Sequence, residues 1–96
     1  MSVRRAFEEH RSEIVRVARG HGATGVRVFG SVARGEDGPG SDLDLLVDLR
    51  LGRSLLDLIA LKQDLEDLLG QAVDVVTEAG ISPYVRDRVV QQAMAL

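Results

Sequence analysis

Residues Val26 to Asp48, VRVFGSVARGEDGPGSDLDLLVD, narrow the folds open to this chain more than any other stretch. A short apolar run of Val26, Val28 and Phe29 stops at Gly30-Ser31 and crosses a glycine-rich polar loop. It resumes as Ser41-Asp42-Leu43-Asp44, followed by Leu45, Leu46 and Val47. That reads as strand, turn, loop, strand. Side chains alternate along a strand, so Asp42 and Asp44 share one face while Leu43, Leu45 and Val47 take the other. Two carboxylates this close repel unless a cation neutralises them, and hard oxygen donors favour Mg²⁺ or Mn²⁺. At the other end of the loop, Gly30 lacks the Cβ that would keep a ligand off the backbone. Ser31 adds a hydroxyl beside successive N–H groups, and such a turn suits a phosphate. A phosphate cradle next to a metal-binding carboxylate pair is the equipment of phosphoryl or nucleotidyl transfer.

A length of 96 residues predicts a single domain spanning 1–96. The formal net charge of −3 makes the chain mildly acidic, which is not the balance of a protein built to coat nucleic acid. Without cysteine there are no disulfides and no thiolate metal sites. No apolar run approaches the ~20 residues of a membrane-spanning helix, and the charged N-terminus has no apolar signal region. The expectation is a soluble cytoplasmic protein.

Taken in order, Val3, Phe7, Ile14, Val17 and Ala18 recur at helical spacing, predicting one helix from Ser2 to about Arg19, ended by Gly20 and Gly22. His10 and His21 read as exposed polar residues of that helix and are assigned no role. A strand over Val26–Phe29 follows. Val32 to Gly35 then read as one helical turn whose first N–H groups point at whatever Ser31 holds. Arg34 has two readings, a phosphate contact or a solvated side chain paired with Glu36. Glu36 to Gly40 form a turn-rich, mobile loop. The order of ligands in a calcium-binding EF-hand is absent from EDGPGSDLD.

Beyond the second strand, Ser54 and Asp57 are spaced as an N-cap and capping box. The helix they start carries Leu55, Leu58, Ile59, Leu65, Leu68 and Leu69 on a broad inward face and closes at Gly70. A third strand spans Ala72 to Thr77. Asp74 interrupts its β-branched run, where a carboxylate has poor strand propensity and a desolvation cost if buried. It is either a partly exposed edge-strand residue or a third carboxylate delivered beside Asp42 and Asp44, a cluster able to hold two Mg²⁺ ions. Ser82 caps a last helix with Pro83 at its first position, running to the C-terminus with Val85, Val89, Val90 and Ala93 inward.

Gly30-Ser31-Val32-Ala33-Arg34-Gly35 followed by Ser41-Asp42-Leu43-Asp44-Leu45-Leu46-Val47 resembles the GSxARG…SDxDxxV signature of the minimal nucleotidyltransferases of the DNA polymerase β superfamily. Val73-Asp74-Val75-Val76 is similar to the third-carboxylate strand of that family. Ile81 to Val89 is similar to the C-terminal helix of its short members. The resemblance spans nearly the whole chain, with no departure from the core signature. It implies an α/β (α+β) nucleotidyltransferase fold with a small, mixed, three-stranded sheet flanked by helices. It also implies that Gly30 and Ser31 bind the triphosphate of ATP, with Arg34 the further nucleotide-binding candidate, and that Asp42, Asp44 and Asp74 ligate Mg²⁺ and carry catalysis.

Short stand-alone members of the family are typically paired with a HEPN-domain RNase toxin, whose tyrosine they modify with AMP from ATP. The resemblance therefore implies an Mg²⁺-dependent protein adenylyltransferase acting as an antitoxin. The rival expectation is a non-catalytic antitoxin that inhibits its partner by direct contact. Modification of a small molecule or an RNA end is disfavoured by the missing acceptor-binding domain. Self-association through the Leu-rich or C-terminal helix is left open.

Overall fold

Alternation of apolar and polar residues builds a four-stranded sheet in the computed structural model, which describes residues 3–38 and 40–96. The expected helix start at Ser2, and Pro39 of the expected loop, lie outside the described residues. The strands are β1 (Ala23–Phe29), β2 (Leu43–Leu49), β3 (Val73–Val76) and β4 (Met94–Ala95), in the spatial order β3-β2-β1-β4. β1 runs antiparallel to both β2 and β4, whereas β2 and β3 are parallel. The sheet is mixed, as expected. Its fourth strand is an addition to the three expected from the sequence.

The N-terminal helical pattern forms two helices instead of one, α1 (Val3–Glu9) and α2 (Arg11–Gly20). They part at His10, whose φ of −113° and ψ of 17° leave helical geometry, and whose ring meets Glu13 at 3.1 Å. The bend lets Val3, Ala6 and Phe7 pack towards β2 while Ile14 and Ala18 pack towards β1. His21 Nε2 meets the Asp64 carboxylate at 2.6 Å. Gly22, with φ +91°, then turns the chain into β1, three residues earlier than expected.

After the five-residue α3 (Gly30–Arg34) and β2, the long helix α4 (Leu55–Leu69) begins as expected. Ser54 Oγ accepts from the Leu56 N–H at 3.3 Å, and the Asp57 carboxylate accepts from the Ser54 N–H at 2.8 Å. Gly70 ends it in the left-handed region, with φ +63°. Its inward stripe differs from the expected one. Leu61, Leu65 and Leu69 are buried, whereas Leu55 and Ile59 are 68% and 45% exposed.

Beyond β3, a 3₁₀ turn (Glu78–Gly80) leads to α5 (Pro83–Gln92), with Ser82 and Pro83 at its start as expected. The helix does not reach the C-terminus. It stops at Gln92, and Met94-Ala95 pair with Val28 and Arg27 of β1. Val85, expected inward, is 42% exposed.

The core lies on one face of the sheet, where Val26, Val28, Leu43, Leu45, Val47 and Val73 meet α1, α2 and α4. Asp42 and Asp44 are on the opposite side of β2. No helix among the described residues is long and apolar enough to cross a membrane.

Candidate active site

The site grows from the end of β1. Gly30 has φ +74° and is buried at the first position of α3, so the helical turn starts two residues earlier than expected and takes in Gly30 and Ser31. A Cβ built on Gly30 would fall on the Asp44 carboxylate. Glycine is therefore required twice here, once for the backbone angle and once for the space that Asp44 fills. The pairing of Phe29 with Asp44 across β1 and β2 brings these residues together.

On the other side of β2, the parallel register sets Asp44 directly beside Asp74. Asp42 lies two residues before Asp44 and so projects from the same face. Asp44 is half-buried, whereas Asp42 and Asp74 are exposed. Burial pushes the Asp44 carboxyl above its ordinary range, the charges of Asp74 and Asp42 push it further, and Arg34 opposes them. Asp74 and Asp42 thus both act on Asp44 electrostatically. As the side chains stand, no three carboxylates or imidazoles among the described residues enclose a space for a metal ion.

Arg34 closes the short helix facing this cluster. It is paired with Glu36 at 2.9 Å and donates to the Gln92 side chain of α5 at 3.3 Å. The described part of the glycine-rich loop makes contacts with α1 and within itself. Arg4 of α1 holds Asp37 at 2.9 Å and donates to the Val32 carbonyl at 3.0 Å, and Ser41 Oγ accepts from the Gly38 N–H at 2.9 Å.

The structure therefore brings Gly30, Asp42, Asp44 and Asp74 to one end of the sheet, with Ser31 and Arg34 on the helical turn beside them. Reading the sequence did not single out Arg4, Gln92, Lys62 or Glu66, all of which hold parts of this region. Only the i, i+4 spacing of Lys62 and Glu66, just ahead of the Asp74 strand, offered a signal.

Comparison with known proteins agrees with this arrangement. A family model described as a nucleotidyltransferase domain matches residues 7–96. A protein of Methanocaldococcus jannaschii, provisionally named a protein adenylyltransferase, is 42% identical over 88 residues, covering 92% of this chain and 95% of its own. A solved structure provisionally described as a minimal nucleotidyltransferase superposes with a TM-score of 0.88 at 47% identity, covering 100% of this chain and 97% of its own. A mutant of the MntA–HpeT toxin–antitoxin pair contains a chain with a TM-score of 0.74 at 25% identity, covering 90% of this chain and 70% of its own. The chain belongs to the nucleotidyltransferase domain family, as a minimal, MntA-like member and an enzyme.

Proposed function

We propose that this nucleotidyltransferase transfers AMP from ATP to a tyrosine hydroxyl of a HEPN-domain RNase toxin and so neutralises it, acting as a single domain to which the partner brings the acceptor. The observation that carries the reading is the seating of the Asp44 carboxylate between Gly30 and Asp74. It joins the phosphate turn to the carboxylates in one place. The family relationship and the likeness to a toxin–antitoxin chain support the choice of acceptor.

Gly30 and Ser31 bind the triphosphate through backbone N–H groups and the Ser31 hydroxyl, and Arg34 supplies positive charge beside them. The donor set suits Mg²⁺, since Asp42, Asp44 and Asp74 offer only hard oxygens and the charges of Asp74 and Asp42 already burden Asp44. Two ions held there would neutralise the charge that develops on the phosphates. The exposed Asp42 and Asp74 side chains are free to turn towards them. The acceptor O–H attacks the α-phosphorus, forming an O–P bond as the bond to the β-phosphate oxygen breaks. Pyrophosphate leaves, and the proton passes to the exposed Asp74 carboxylate.

A second reading, an antitoxin that works by contact alone, is favoured by the exposed apolar side chains Leu51, Leu55, Leu56 and Tyr84. One experiment separates the two. Transfer from α-labelled ATP with Mg²⁺ into the host protein fraction is compared for the native protein and Asp42→Asn/Asp44→Asn. A labelled band lost in the variant supports AMP transfer. Capture of the same partner by both proteins without labelling leaves contact as the mode of action.

A further inference from the structure

Asp74 sits in a four-residue strand at the edge of the sheet, with a neighbour on one side only. A carboxylate so placed needs its backbone held from somewhere else. The Leu43 N–H donates to the Ala72 carbonyl at 3.1 Å. In a parallel ladder this turns the peptide groups of Ala72 and Asp74 towards β2, and those of Val73 away from it. α4 meets the Val73 groups on that outer side. Glu66 Oε2 accepts from the Val73 N–H at 3.0 Å, and Lys62 Nζ donates to the Val73 carbonyl at 2.8 Å. Lys62 Nζ also donates to the same Glu66 oxygen at 2.8 Å, closing a ring of three hydrogen bonds around the backbone of one residue.

We propose that Lys62 and Glu66 are positioning residues for the transfer reaction, gripping Val73 so that Asp74 is held in register beside Asp44. The inference rests on the three-carboxylate reading above. Lys62 and Glu66 are one turn apart on a helix anchored by the buried Leu61, Leu65 and Leu69, so the grip is built on the core. As a half-exposed ion pair they contribute little to stability. Their effect falls on geometry, where a displacement of about 1 Å in a reacting group can cost on the order of 100-fold in rate. The Glu66 carboxyl is held below its ordinary range by the Lys62 hydrogen bond and then by the Val73 N–H, in accord with this contact.

The test compares the native protein, Lys62→Met/Glu66→Ala and the conservative Lys62→Arg. It measures initial rates of label transfer from α-labelled ATP into the host protein fraction as ATP is varied, and hydrogen exchange at the Asp74 amide. The double variant is expected to lose about tenfold in maximal rate while its apparent KM for ATP stays within about twofold, because Gly30 and Ser31 are untouched. Exchange at Asp74 quickens while α2 and β1 keep their protection, and Lys62→Arg restores the native rate. A double variant with native rate and native exchange overturns the proposal. So does a rise in KM with protection lost across the whole sheet, which would mark a general loss of stability. If the native protein transfers no label, it is the AMP-transfer reading that falls, and exchange at Asp74 still decides whether the grip exists.

Discussion

The two faces of β2 are made from alternate residues of one short strand, yet they behave as different materials. Leu43, Leu45 and Val47 are at most 1% exposed and pack with three helices. Asp42, Asp44 and Asp48 point the other way, where Leu46 is the only fully buried residue of the strand. The helix α5, which packs on α3 and β1, has no buried residue of its own. Further along the same face, Arg27 pairs with Glu78 at 3.0 Å and reaches Asp48 at 3.6 Å. Stability is concentrated on one side and the proposed chemistry on the other. The apolar face offsets the cost of three mutually repelling carboxylates on the other face.

Substitutions can pull the two faces apart. Asp44→Asn has the largest expected effect, lowering label transfer by about 100- to 1,000-fold. It should nevertheless raise the melting temperature of the metal-free protein at neutral pH. The Asp44 carboxyl is raised above its ordinary value of 3.8, first by burial and then by Asp74 and Asp42, so the folded protein holds its proton more tightly than the unfolded chain. That contribution to stability is complete below pH 3.8 and is lost as the pH rises through the folded value. Melting curves of variant and native protein should converge in acid and separate towards neutrality, with the variant higher. A variant less stable than the native protein at neutral pH would contradict this account.

Leu45→Ala tests the other face. It should cost about 3 kcal/mol in chemical denaturation while the protein that remains folded transfers label at the native rate. Gly30→Ala strikes where the faces join. A left-handed φ costs a residue with a Cβ about 1–2 kcal/mol, and the new methyl displaces Asp44, so stability and transfer should fall together. Ser54→Ala is the mildest, removing a helix cap worth about 1 kcal/mol with no change in transfer.

Much of this division was readable in the residues themselves. The two-residue spacing of Asp42 and Asp44 placed the carboxylates opposite the core face of Leu43, Leu45 and Val47, and Asp74, out of character in a β-branched run, marked the strand that meets Asp44. Capping chemistry at Ser54, Asp57, Gly70 and Ser82 is local and so was legible too. What escaped depends on distant contacts. The α4 sequence has apolar residues almost all the way round, and only packing against the sheet selects Leu61 over Leu55 and Ile59. The bend at His10 has neither glycine nor proline to announce it. Met94 and Ala95 become a strand because β1 offers them an open edge. The side chains that Arg34 and Arg4 meet are set by the tertiary fold, which their neighbours in sequence do not encode.

The grip on Val73 has a consequence for solubility as well. An edge strand with bare N–H and C=O groups is a template for a strand from another molecule, and from there for sheet growth into aggregates. Lys62 and Glu66 occupy the outward groups of Val73, while β4 occupies the opposite rim of the sheet at Arg27 and Val28. Joining of copies strand to strand is thereby obstructed at Val73 on the β3 rim.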